Sequence, residues 1–401
     1  MQSYNTTIEF PKKSLTGPGA ALISPPNSPP KNPALGNITS YSANQQNKGF
    51  AKKVERTEQE LEALRHGYKK FKFKRKSKIG KKVERVGYCG TRCICKDTIE
   101  INAVKGEKGG IYYQGMMRCG SVWFCEDCMF KLMKTRAEEL YNQLKIYKEK
   151  GKTVLFGTFT LQHNIGDRLA DLHAKLLSAF NFANTHRTWI DAKKKVPVEY
   201  LRALEVLHGS NGWHPHLHCL FVGDQEMIDT IQIFVNLYTQ RLTKLGLVVN
   251  DHTVTIDKWN GSVDTMTDYL FKGMIEKEIT GGNLTKSGKG KNFFELIDDN
   301  NDSAASEYIK VMKGKRQYHH SKNFFDDVET KTEEEILKDD KVADVLFTIP
   351  KAVYDDINKK GMSLHLLNEF EYGGASRAIK LLELYDCDTG FLEYLLPLKH
   401  P

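Results

Sequence analysis

Several features are missing from this chain, and each absence narrows its class. The opening stretch, MQSYNTTIEFPKKS, carries no apolar run, so no secretory signal is expected. No apolar run approaches bilayer-spanning length, which argues against a membrane-spanning helix or a membrane partner. No internal repeat is found, which sets repeat architectures aside. Cysteine is scarce outside one window. Of eight, six lie between Cys89 and Cys128, and Cys219 and Cys387 stand alone as small buried hydrophobes. These absences point to an intracellular, cytoplasmic protein. In reducing surroundings the six clustered cysteines ask for a metal rather than for disulfides.

What is present suits a folded chain. Of 401 residues, 40% are hydrophobic and 27% charged, so a core is expected. The net charge of +9 is a modest basic excess that suits a polyanionic partner. Residues 1–52 hold SPPNSPPKNP and a polar run, and are expected to be a disordered tail. Residues 53–88 read as a charged helix and a basic linker. Residues 89–150 hold the cysteines and an amphipathic helix. Residues 151–325 alternate strands with helices, and 326–401 form an accessory region. Lys72, Lys74, Arg75 and Lys76 in YKKFKFKRKSKIGKKVER are candidate phosphate contacts, as are Lys315 and Arg316 in KGKRQYHHSKNFF. A solvated basic face accounts for the first stretch equally well.

The cysteine spacing narrows the metal. Cys125-x2-Cys128 is the half-site of a zinc knuckle, and a tetrahedral zinc takes four thiolates. Cys125 and Cys128 come first. Cys119 and one of Cys93 and Cys95 complete the set, with Cys89 as a spare. A site filled by thiolates has no open position for a substrate, so its role is structural.

The stretch NGWHPHLHCLF poses a different question. A strand repeats every two residues, so His216 and His218 share a face and Leu217 takes the other. LRALEVLHGSNGWHPHLH reads as strand, turn, strand. A two-residue loop at Ser210 and Asn211 pairs Gly209 with Gly212 and sets Glu205 opposite His216. Two imidazoles and a carboxylate then converge and leave coordination positions open, which suits an ion that works on a substrate. Pro215 lies inside the second strand, where a bulge would shift the pairing by one. Further along, VDTMTDYLFKGMIEKE has a helical pattern that puts Lys272 on the face of Tyr269. A phenol with a pKa near ~10 attacks at neutral pH only with help, which an ammonium and a metal supply. The same pattern also fits a tyrosine in a helix core.

These residues resemble the replication initiator proteins of rolling-circle plasmids and related phages, within the HUH endonuclease superfamily. HPHLH matches the His-hydrophobe-His motif, and RCGSVWFCEDCMFKLMKTRAEEL, FGTFTLQHN, DYLFKG and YIKVMKGKRQYHHSKNF match in order, over about 85–325. The resemblance implies an α+β fold, with an antiparallel central sheet flanked by helices and preceded by a small zinc-binding module. It implies that Tyr269 takes the 5′ phosphate of a nicked strand, leaving a free 3′ hydroxyl as primer. It implies Mg²⁺ or Mn²⁺ at His216 and His218, with Glu205 as third ligand, and structural Zn²⁺ at the cysteines. The partners it implies are origin DNA, single-stranded or as a hairpin, with host helicase and polymerase. Some relatives carry a Glu four residues before the tyrosine that activates water. Thr265 stands there in this chain, and Asp264 is the local substitute. An HUH transposase of a mobile element and a non-catalytic, zinc-stabilised DNA-binding protein are the alternatives.

Overall fold

A computed structural model describes residues 74–94, 99–106, 111–259, 290–338, 342–393 and 395. The tail expected at 1–52, together with Lys72, Cys95, Asp264, Thr265, Tyr269 and Lys272, lies outside the described residues.

Elements form where the sequence changes its hydrophobic period. Strands β1 (Glu100–Gly106) and β2 (Ile111–Tyr113) come before helix α1 (Glu126–Glu149) and strand β3 (Thr153–Phe159). Helices α2 (Leu169–Thr185) and α3 (Arg187–Lys195) lead to strands β4 (Val198–Gly209) and β5 (Gly212–Gly223). Next come α4 (Met227–Lys244), β6 (Val254–Lys258), α5 (Phe293–Asp298), α6 (Asp302–Met312), β7 (Tyr318–His320) and α7 (Glu333–Lys338). Strand β8 (Val342–Pro350) and helices α8 (Lys351–Lys359) and α9 (Ser363–Leu384) follow. The segment after β3, legible as one helix or two, divides at His186. Its backbone is extended there (φ −66°, ψ 138°), and its Nδ1 accepts from the Thr188 N–H that opens α3 (3.2 Å).

The fold is α+β. Five strands make an antiparallel sheet in the order β6-β3-β5-β4-β7. Helix α4 buries Met227, Ile231, Phe234, Tyr238 and Leu242, a spacing that keeps one stripe inward. Helix α2 buries Leu169, Leu172, Leu176, Ala179 and Ala183 in the same way. The two meet around Phe159, whose ring lies edge-on to Phe180, Phe234 and Tyr238 at 5.1–5.8 Å. Leu217 pairs with Phe159 and shares this covered face. Its neighbours His216 and His218 therefore project from the other face.

A second antiparallel sheet runs β2-β1-β8. Ile101, Ala103, Tyr113, Phe347 and Ile349 pack beneath Tyr354 and Ile357 of α8 and Leu366 and Leu382 of α9. Strands β1 and β2 are an excursion between Cys93 and Cys119, so β8 fastens the last part of the chain to the cysteine region. Tyr354 adds a bond from its hydroxyl to the Thr91 carbonyl. Among the described residues no helix is long and apolar enough to cross a membrane.

Gly212 closes the β4–β5 turn with φ 83°, and a Cβ there would lie 3.0 Å from the Asn164 carbonyl oxygen. Gly212→Ala is expected to cost about 1–2 kcal/mol of unfolding free energy, since an L side chain is disfavoured at positive φ. A urea titration reads it as an earlier midpoint. An unshifted midpoint would mean that the turn does not hold this conformation.

Candidate metal centres

The β4–β5 hairpin builds the first centre. Its loop is Ser210–Asn211, closed by the pair Gly209–Gly212, and the register runs without a shift to Val198–Gly223. Glu205 therefore stands opposite His216, and Ala203 opposite His218. No bulge occurs at Pro215. Counting from the closing pair, the Val206–Pro215 pair turns the proline nitrogen away from β4. On the other side, pairing with β3 stops at Leu217, so no ladder needs the missing N–H.

Three donor atoms meet on this face. Glu205 Oε2 lies 2.8 Å from His216 Nε2 and 3.2 Å from His218 Nε2, and the two nitrogens are 3.0 Å apart. Ligands held at right angles about 2.1 Å from one ion stand about 3.0 Å apart, so the triangle has the size of one face of an octahedron. The histidines are oriented from behind. His216 Nδ1 donates to the His214 carbonyl (3.4 Å), and His218 Nδ1 pairs with Thr158 Oγ1 (3.3 Å). Each Nε2 thereby faces the shared point, where it bonds the Glu205 carboxylate when protonated and offers a lone pair to an ion when not. Phe156 stacks on the His218 ring at 5.6 Å and 22°. The His216 and His218 side chains are 8% and 15% exposed and that of Glu205 is 37%, so the centre opens on the carboxylate side. Burial pushes the Glu205 carboxyl up, but bonds from His216 and His218 outweigh it and hold the group well below the usual carboxylate range.

Residues that spacing does not single out complete the surroundings. His163 Nδ1 donates to the Asn211 carbonyl (3.2 Å), and His214 Nδ1 donates to His163 Nε2 (2.8 Å). Burial, with the charge of His216 and His163, lowers His214 to about 4. Glu307 braces the hairpin. Its Oε2 accepts from Trp213 Nε1 (2.8 Å) and its Oε1 from the Leu169 N–H that opens α2 (2.7 Å). The signal for His163 was its place at the end of the β3 pattern; Glu307 left none. Tyr308 is buried between Trp213 and Phe293, and burial raises its phenol. Tyr318 is raised by burial in the same way.

The second centre is a sulfur quartet of Cys89, Cys119, Cys125 and Cys128, all buried. Cys89 Sγ lies 3.5 Å from Cys128 Sγ and 3.7 Å from Cys125 Sγ, and Cys119 Sγ lies 3.7 Å from Cys128 Sγ. Four sulfurs about 2.3 Å from one ion stand about 3.8 Å apart in a tetrahedron, so the quartet has the size such an ion needs. Cys89 takes the place that spacing offers to Cys93 or Cys95. Cys93 instead bridges Met116 at the root of the β1–β2 excursion and packs against the second core.

The basic stretch ahead of the quartet turns partly inward. Arg75 bonds Glu126 (2.6 Å) and Asp298 (2.6 Å), and the Lys76 ammonium is buried against the Cys89 carbonyl. Lys74, Lys315 and Arg316 are exposed. Two of the candidate phosphate contacts are thus ion-paired inside the fold.

Over 134 residues the chain is 32% identical to Protein rep of Streptomyces lividans, covering 26% of this chain and 29% of that protein. It is 26% identical over 132 residues to a Neomycin resistance protein of Streptomyces cyanogenus, covering 26% of this chain and 30% of that protein. The chain thus spans less than a third of the length of either relative. No family model matches, and no solved structure matches.

The quartet makes a discriminating prediction. Cys89→Ser should leave purified protein without its bound metal, whereas Cys93→Ser should retain about the wild-type content, measured by mass spectrometry of metal per chain. Equal loss in both would return Cys93 to the ligand set.

Proposed function

We propose that this chain is a plasmid replication initiator that nicks one DNA strand by tyrosine attack and keeps the broken bond as a phosphotyrosine. The observation that carries the reading is the convergence of Glu205 Oε2, His216 Nε2 and His218 Nε2 within 3.2 Å on an open face of an antiparallel sheet. The partial likeness to Protein rep supports it independently. Glu205, His216 and His218 hold Mg²⁺ or Mn²⁺, and the cysteine quartet holds Zn²⁺ as a structural ion.

The chain's own groups divide the work. When bound, the divalent ion supplies positive charge beside a non-bridging phosphate oxygen, which makes phosphorus more electrophilic. The Tyr269 hydroxyl attacks phosphorus in line. Its proton is lost to solvent, the P–O3′ bond breaks, and the leaving 3′ oxygen takes up a proton. Lys272, on the same helix face by spacing, favours the phenolate. Free 3′ hydroxyl is left for polymerase, and the 5′ end stays on the protein. Rejoining reverses the same steps and needs no nucleotide cofactor. Origin DNA, single-stranded or extruded as a hairpin, is the substrate, with host helicase and polymerase as partners. Asp264 is the local group for a terminating water, and Lys315 and Arg316 are exposed contacts for phosphate.

The test mixes purified protein with single-stranded oligonucleotides tiling its own replicon, in Mn²⁺, beside Tyr269→Phe. A covalent adduct on a denaturing gel at one site, absent in the variant, is expected. Retention of the adduct in Tyr269→Phe would move the attack to another tyrosine. DNA binding with no adduct in either protein would leave a zinc-stabilised DNA-binding protein.

A further inference from the structure

The sulfur quartet poses an electrostatic problem. Four thiolates around one divalent ion carry a net charge of about −2, and all four cysteines are at most 9% exposed. Buried charge of that size is costly unless an opposite charge is held beside it. Lys76 comes from the basic stretch that offers candidate phosphate contacts, yet its side chain is only 10% exposed. Its ammonium donates to the carbonyl of Cys89, one of the four sulfur residues, and lies 3.3 Å from Asp127 Oδ2. Burial disfavours its charged form, but Asp127 and then Cys125 and Cys89 outweigh this and raise the ammonium above its ordinary value. A second cation converges on the same spot. A Cβ placed on Gly90 would meet both Lys76 Nζ and Arg118 Nη1 at 3.7 Å.

We propose that Lys76 is the counter-cation of the tetrathiolate centre. It holds the metal by offsetting thiolate charge and by fixing the Cys89 backbone, and so ties residues 74–80 of the basic segment to the metal rather than to DNA. Lys76 is a positioning residue here: it touches the ligand's backbone and not the ion. The fold supports the arrangement. Residues 74–80 are helical and turn back on Glu84–Gly87 where Gly80 and Gly87 meet, and a Cβ on Gly80 would lie 2.7 Å from Gly87 Cα. That close crossing brings Lys76 over Cys89. Arg75 anchors the same turn to Glu126, which opens α1 between Cys125 and Cys128.

The inference rests on the quartet holding zinc, and the experiment separates the two. Full-length wild type, Lys76→Met and Lys76→Arg are loaded with zinc, and its release to a colorimetric chelator is timed. Lys76→Met should release zinc about 10-fold faster, the scale of losing one outer-shell partner. Lys76→Arg keeps the charge and should stay within about 3-fold of wild type on the same scale. DNA affinity and its salt dependence, measured in parallel, should not change in either variant. Release from Lys76→Met at the wild-type rate overturns the proposal. So does Lys76→Arg releasing about 10-fold faster, and that arm decides the matter alone if Lys76→Met cannot be isolated folded. A weakened DNA affinity with a shallower salt slope and unchanged zinc release assigns Lys76 to phosphate instead. A wild type that binds no zinc removes the centre itself, and the role of Lys76 with it.

Discussion

The pairing of β4 with β5 is the constraint on which the candidate site depends. A two-residue loop leaves the strands no freedom of register, so the choice of Ser210 and Asn211 as loop residues determines that Glu205 faces His216. A slip of one residue would turn the carboxylate to the face that α2 and α4 cover and bring apolar side chains to the metal face. The buried row of Leu217, Cys219 and Phe221 opposes that slip, because each would have to leave the core. The apolar face of the hairpin thus holds the polar face in place. His216 and His218 need no specialised loop to meet a carboxylate; period two and a short turn suffice.

Aromatic packing joins the two candidate centres. Trp123 and Phe124 lie just before Cys125, and both rings meet Tyr308 of α6, at 6.2 and 6.1 Å. Phe124 also lies edge-on to Phe293 at 5.3 Å. Tyr308 in turn lies against Trp213 at the mouth of the hairpin, and Glu307 beside it accepts from the Trp213 indole. An ion at the quartet would therefore stiffen the wall that supports the hairpin without contacting a substrate. That gives physical content to calling the cysteine centre structural.

Much of the sheet and of the first centre is written in local pattern. The strands at 153, 198, 212 and 254, the helix at 227 and the register of Glu205 with His216 follow from period, turn residues and length. Features that depend on distant chain did not show. Spacing puts Cys89 behind Cys93 and Cys95, and only the fold, in which the β1–β2 excursion draws Cys93 aside to Met116, brings Cys89 into the quartet. Arg75 and Lys76 look like surface cations because their partners, Glu126, Asp127 and Asp298, lie far along the chain. The pairing of β1 with β8 leaves no local signature at all. Tyr269 and Lys272 rest on their helical spacing and on the resemblance.

The most direct test of the central claim is pulsed electron paramagnetic resonance of Mn²⁺ bound to the purified protein. Coupling to two imidazole nitrogens in the wild type, falling to one in His218→Ala, is the expected result, since both Nε2 atoms point at one position. Bound Mn²⁺ without nitrogen coupling would contradict the account, because the hairpin would then not be what gathers the ion.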